Sequence, residues 1–283
     1  GGLYGILNGT CNYILTEMAR RGKTYAEALA EAKDRGYAEA DETLDVSGAD
    51  AAQKLAVLAS LAFGARVVEA DVPCRGIDAL DRSDVGFAEE LGYEVKLIAA
   101  AERRPGETDL ALGTEPCLIA RDAPLAQVHG SFNALSVVGH AVGHTMFYGR
   151  GAGQGPTASA VVADLLNVAA GAHPAAFAGL RLTPDLHGPP PLVAPGDLES
   201  RWYLRLDALD VPGIVARVTA ELARRDISLA SLLQHDAVGD TVPLVMTTHD
   251  AKRGDLDDAC RTIAELPAVH GTPVVYRILD LPA

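Results

Sequence analysis

The stretch LDALDVPGIVARVTAELARRDISLASLLQ, Leu206 to Gln234, reads as the end of a strand, a turn, a helix and a second strand. WYLRLDAL is the first strand, DVPG turns it into the helix IVARVTAELARRD, and ISLASLLQHDA is extended again. Further on, TVPLVMTTHD is that strand's hairpin partner, GDLDDACRTIAEL a second helix and VHGTPVVYRILD a closing strand. The order is βαββαβ, the ferredoxin-like plan. Just upstream, TPDLHGPPPLVAPGD, Thr183 to Asp197, is rich in Pro and Gly and reads as a linker.

A chain of 283 residues leaves room for two or three domains. Its 48% hydrophobic and 22% charged residues are those of an ordinary globular protein. A formal net charge of −14 argues against nucleic acid or an anionic membrane as partner. Cys11, Cys74, Cys117 and Cys260 are too scattered for a metal site or a disulfide framework, and read as idle thiols of a cytoplasmic protein. No apolar run reaches the ~20 residues of a membrane span. The start, GGLYGILNGT, has neither the basic flank of a signal peptide nor an initiator Met, so the chain reads as a piece of a longer one.

Ahead of the linker, TCNYILTEMARR is a helix with Asn8 or Thr10 as its cap. Thr24 and Glu27 form a capping box for a second helix, which Gly36 ends. A third helix runs from about Gly48 to Phe63, with Gly64 at its end. Then RVVEADV, YEVKLIAAAE, TDLALG, QVHGSF and ALSVVG read as strands, with a helix at SDVGFAEEL. The loop GRGAGQGP leads from the strand TMFY into the helix TASAVVADLLNVAAG. The expected architecture is α/β (α+β): a mixed-sheet domain with helices on one face, followed by a ferredoxin-like βαββαβ domain. The boundaries read are 1–150 for the first unit, 151–182 for a returning segment, 183–200 for the linker and 201–283 for the last unit.

The chemistry concentrates in GYAEADETLDVSGADAAQKLAVLASLAFG, Gly36 to Gly64, where Glu39, Asp41, Glu42, Asp45 and Asp50 precede Lys54. Asp50 and Lys54, four apart on a helix, lie on one face and can pair. The plain reading takes Ser47 to Asp50 as a capping box and the pair as a surface contact, worth ~0.3 kcal/mol. Against it, only Ser60 is polar from Leu55 to Phe63, and a helix apolar all round is buried. Lys54 is therefore expected at a cleft, where an ammonium can act as proton donor.

GILNGTCNYIL (Gly5 to Leu15), the acidic stretch, and GRGAGQGPTASAVVADL (Gly149 to Leu165) occur in that order, and together they resemble the catalytic part of homoserine dehydrogenases. One departure is Glu42, where that family usually has proline. The resemblance implies interconversion of L-aspartate 4-semialdehyde and L-homoserine with NADP or NAD. It implies Lys54 as proton donor and Asp50 and Glu39 as substrate ligands, with Tyr37, Thr10 and Asp45 in support. It places Gly36, Gly153 and Gly151 near the cofactor. It also implies that part of the nucleotide-binding domain, with a structural cation site, precedes GILNGT, and that this chain alone binds NADPH weakly.

Leu206 to Gln234 resembles an ACT-type regulatory domain over about Trp202 to Leu281. That implies an amino-acid effector, L-threonine, at the turn Asp210, Pro212, Gly213, with Val211, Ile214 and Gln234 alongside. A unit that only dimerises is the plainer alternative, and a silent amino-acid sensor the competing function. Phosphoryl transfer by the glycine loop lacks the required lysine and metal-binding carboxylates. His140 and His144 have helical metal spacing, but in a strand–turn region without a third ligand, so no metal is expected. Arg103-Arg104 and Arg224-Arg225 read as solvated, and Trp202 as a packing anchor. The strands of 90–148 offer a surface for a homodimer.

Overall fold

The structure is a computed structural model that describes residues 1–38, 41–103, 106–180, 188–235 and 241–281. Glu39, Arg104, the linker residues 183–187 and the end of the ISLASLLQHDA strand lie outside the described residues. The first unit runs β1 (Gly2–Ile6), α1 (Gly9–Arg21), α2 (Tyr25–Asp34), α3 (Thr43–Val46), α4 (Ala49–Phe63), α5 (Arg82–Glu90), β2 (Tyr93–Glu102), β3 (Ala111–Ala120), β4 (Phe132–Gly139) and β5 (Gly143–Arg150). Two helices follow, α6 (Gln154–Ala169) and α7 (Ala172–Leu180). The last unit is β6 (Glu199–Leu209), α8 (Ile214–Ala223), β7 (Leu229–Gln234), β8 (Thr241–Thr248), the short β9 (Ala251–Lys252), α9 (Arg253–Ala264) and β10 (Val269–Ile278).

The strands form one sheet in the order β5-β4-β1-β2-β3-β10-β6-β8-β7, with β9 beside β6. The last four of that path are the ferredoxin-like order, so the predicted βαββαβ unit is present. It is not a separate sheet: β10 joins β3, in parallel, at Arg277–Cys117 and Ile278–Leu118. Strand alternation sorts the two faces. Leu3, Leu97, Ala99, Leu118, Tyr203 and Ile278 pack under α1, α4 and α5. On the opposite face Trp202, Leu204 and Leu206 pack under α8 and α9.

A buried ion pair fastens the two units. Asp84 of α5 is almost wholly enclosed and accepts hydrogen bonds from Arg205 Nε at 2.6 Å, Arg205 Nη2 at 3.1 Å and the Tyr203 hydroxyl at 2.8 Å. Nearby, Phe87 stacks on His235 at 5.6 Å between centroids, and His235 meets Glu90 at 2.8 Å.

Several local expectations are corrected. RVVEADV is no strand, because the Asp71 carboxylate takes the Val68 N–H at 2.9 Å and closes a 3-10 turn at Glu69–Asp71. QVHGSF forms turns up to Phe132, whose carbonyl and that of Val128 are taken by the buried Asn12 amide. TDLALG yields its strand only from Ala111, which continues through TEPCLIA to Ala120. The opening GLYGI, read as no element, is the central strand β1 between β2 and β4. Thr24–Glu27 is a complete capping box as expected, but Ser47–Asp50 is not: α4 starts after Gly48, which makes no side-chain cap. Nor is α4 buried all round. Ala51, Ala52, Leu55, Ala56 and Ala59 face the core, while Val57 is 62% exposed.

Candidate active site

The loop between β1 and α1 sets the site. Asn8 caps α1 through its side-chain oxygen, which accepts the Cys11 N–H at 2.8 Å. That fixes the amide, whose Nδ2 then donates to Asp45 Oδ1 at 2.7 Å and Asp50 Oδ2 at 2.8 Å. Asp50 Oδ2 also accepts from Lys54 Nζ at 2.7 Å, and the same ammonium donates to the Leu7 carbonyl at 3.1 Å. An ammonium has three donors, so two contacts leave one N–H for a ligand. The Lys54 side chain is 51% exposed, so it stands at the lip of the site.

These groups line a cleft of about 570 Å³ with Gly9, Thr10, Gly36, Tyr37, Asp41, Ser131, Asn133, Arg150, Gly151 and Gly153. Thr10 is tied to the Tyr37 carbonyl by a 2.7 Å hydrogen bond, which brings the end of α2 over α1. Lys54, Asp50, Asp45, Tyr37, Thr10, Gly36, Gly151 and Gly153 thus converge on one cleft, while Glu39 is outside the described residues. Glu42 points its charge elsewhere: it pairs with Lys33 at 2.6 Å, and that hydrogen bond holds its carboxyl below the usual range. Thr43 does the same for Asp41.

Asn8, Asn133 and Arg150 are cleft residues that the sequence reading did not single out for chemistry. Asn8 could have been found from its place in ILNGT, since an N-cap has a fixed amide. Arg150 stands in the glycine loop GRGAGQGP, where only the glycines were given a role; its guanidinium lies over the Phe132 ring at 5.3 Å and makes no hydrogen bond among the described residues. Of the other candidates, His144 meets Ser136 across β4 and β5. Ile214 is buried among the core residues of the C-terminal unit, and Asp210, Pro212, Gly213 and Gln234 are exposed. Gln234 pairs with Leu244, which pairs with Leu206, four residues before Asp210 on the same strand. No cluster of three or more metal-ligating side chains occurs among the described residues.

The acidic segment is held from behind. Ile77 N donates to the Val46 carbonyl at 2.8 Å, Cys74 Sγ to the Ser47 carbonyl at 3.2 Å, and a Cβ on Gly76 would come within 2.0 Å of Val46 O. Gly76→Ala is therefore expected to cost about 1–3 kcal/mol. It should also loosen the acidic segment, because Val46 and Ser47 carry Asp45 and the start of α4. Thermal unfolding and hydrogen exchange at Asp45–Asp50 would check both; an unchanged melting point together with unchanged exchange would contradict the argument.

A lysine–carboxylate cleft on a mixed sheet, joined to a ferredoxin-like βαββαβ unit, defines a two-part α/β protein. A homoserine dehydrogenase family profile matches residues 2–166, and an ACT domain profile residues 202–268. The chain belongs to the homoserine dehydrogenase family. It is 43% identical to a homoserine dehydrogenase of Synechocystis over 98% of its own length, and 41% identical to that of Pseudomonas aeruginosa over 99%. It covers 65% of the length of each. A crystal structure of a homoserine dehydrogenase from Thiobacillus denitrificans superposes with a TM-score of 0.89 at 38% identity, over 99% of this chain and 64% of that one.

Proposed function

We propose that this chain carries the substrate site of an enzyme that interconverts L-aspartate 4-semialdehyde and L-homoserine. The observation that carries the reading is the convergence of Lys54, Asp50 and Asp45 around one cleft, tied by the Asn8 amide. Asp45 and Asp50 take the substrate ammonium, and Arg150 its carboxylate. In the reducing direction an aldehyde carbon accepts a hydride and its oxygen gains negative charge. The remaining N–H of Lys54 meets that oxygen and transfers its proton, giving the alcohol; Asp50 then steadies the lysine until it regains a proton from solvent. In the oxidising direction neutral Lys54 removes the hydroxyl proton.

NADP or NAD would supply and accept the hydride. Gly36, Gly151 and Gly153 on the cleft rim are the residues of this chain that would lie against it. They fit a flat ring: Gly36 has nothing within 4 Å of where a Cβ would stand, and any side chain at Gly151 would collide with Asn133. Glu39 belongs to the same proposal as an ammonium ligand. The exposed Val161, Val162, Leu165 and Leu166 of α6 suit packing on a nucleotide-binding domain. Exposed Phe147 and Tyr148 on the edge strand β5 suit a homodimer. The C-terminal unit would sense an amino acid, with L-threonine at Asp210 to Gly213 as the first choice.

The test is L-homoserine-dependent reduction of NADP or NAD by the full-length gene product. Robust turnover that is lost in Asp50→Ala supports the reading. Failure to oxidise L-homoserine with either nucleotide, in a folded protein, rejects it.

A further inference from the structure

We propose that the junction between the two units holds a second ligand site, for a small carboxylate of amino-acid size, and that it acts on the acidic segment through Cys74–Gly76. The site follows from how β3 and β10 part. They pair at only two rows, Cys117 and Leu118. Toward Thr114 the strands separate, and Pro73–Arg75 takes the vacated side of β3, with Arg75 N donating to Thr114 O at 2.8 Å and Thr114 N to Pro73 O at 2.9 Å. A cavity of about 260 Å³ opens beside this parting. Its walls come from both units and from the segment between them: Arg75, Glu115 and Trp202, the 3-10 turn Pro195–Asp197, and Arg253 and Asp257 of α9. That volume suits a metabolite smaller than the drug-sized ligands of larger pockets.

The lining is polar in a particular way. Arg75, Arg253 and Arg277 line it with Glu115 and Asp257, and Glu102, outside the lining, balances the charge of Arg277. Arg277 is more than nine-tenths buried; its Nε donates to Ser200 and its Nη2 pairs with Glu102, and its Nη1 makes no hydrogen bond among the described residues. Arg75 Nε and Thr114 Oγ1 are buried without a partner. Enclosed donors left unpaired are costly, and a carboxylate is the acceptor that guanidinium groups match best. The rest of the lining, Ile98, Leu112, Leu198 and Trp202, suits a short branched aliphatic group. Asp257 and Glu115 would receive an ammonium if the ligand carries one.

Arg75 links this site to the cleft. Its Nη1 donates to the Val275 carbonyl of the C-terminal unit at 2.7 Å, its Nη2 to Glu115 at 3.1 Å, and its guanidinium covers the Tyr276 ring at 5.0 Å. The residues on either side of it, Cys74 and Gly76, are those that hold Val46 and Ser47. A ligand that draws Arg75 away from Glu115 therefore pulls on the segment that carries Asp45 and Asp50. The site is separate from the turn at Asp210 and does not depend on the reaction proposed for the cleft.

Trp202 is the chain's lone tryptophan and lines the cavity, so its fluorescence reports occupancy there. The test titrates the 283-residue chain with L-valine and with 3-methylbutanoate, the same skeleton without the amine. Saturable change with either compound is expected. Valine alone would assign a free amino acid, and both alike would assign a simple carboxylate. Arg253→Gln should weaken binding at least about tenfold. Gly113→Val, which fills the cavity from β3 where a Cβ would meet the Pro73 carbonyl at an ordinary 4.0 Å, should abolish it, and Asp210→Asn should leave it intact. Hydrogen exchange at Asp45–Asp50 should slow or quicken on binding. No saturable change up to about 10 mM of either compound, binding untouched by both cavity variants, or unaltered exchange in the acidic segment would each overturn the proposal.

Discussion

Lys54→Ala in the full-length gene product is expected to lower turnover by about 10²–10⁴-fold, the range for loss of a positioned general acid. The affinity for L-homoserine should change far less, since Asp45, Asp50 and Arg150 remain. The stability change should be slight, because the Lys54–Asp50 contact is half exposed and an i,i+4 pair of that kind is worth about 0.3–0.5 kcal/mol. The useful measurement is the pair of constants: kcat from steady-state oxidation of L-homoserine, and Kd from calorimetry. A tenfold rise in Kd with kcat unchanged would make Lys54 a binding group and remove the proton transfer assigned to it.

Asp84→Ala should be the most destabilising single change outside the apolar core, at about 3 kcal/mol. It strands Arg205, whose side chain is 12% exposed, and leaves the Tyr203 hydroxyl without its acceptor. Asp207 keeps one contact to Arg205 at 3.0 Å, which limits the loss. Asp84→Asn should cost less, because an amide oxygen still accepts from Tyr203 and Arg205. Because the pair spans α5 and β6, unfolding in denaturant should also become less cooperative, with the C-terminal unit releasing first. Curves from Trp202 fluorescence and from circular dichroism would separate in the variant and coincide in the parent. A variant within about 1 kcal/mol of the parent would show that the docking rests on apolar contacts instead.

Much of the site was legible because its signals are short-range. Thr10, Tyr37, Asp45, Asp50 and Lys54 lie in two segments with distinctive spacing, and the glycine loop in a third; the resemblance joined all three to one activity. Less legible was whatever depends on a partner far along the chain. Ser47 looked like a helix cap, but the Asn8 amide, 42 residues before Asp50, draws that carboxylate away from the helix start. RVVEADV has strand composition, yet a single carboxylate at Asp71 turns it. Arg75 has no motif, Arg150 is overshadowed by the glycines of its loop, and each acquires meaning only from the surface it meets.

The amino-acid sequence by itself determined the order of helices and strands in the C-terminal unit, the capping box at Thr24, and the grouping of acids ahead of a lysine. These follow from side-chain periodicity and backbone preference, which act over a few residues. Only the tertiary structure decided that Asn8 ties Asp45 to Asp50, that Asn133 and Arg150 share the cleft with Lys54, and that β10 joins β3 and then parts from it around Arg75. Such convergence depends on the register and packing of segments distant in the chain, where burial and charge pairing outweigh local preference.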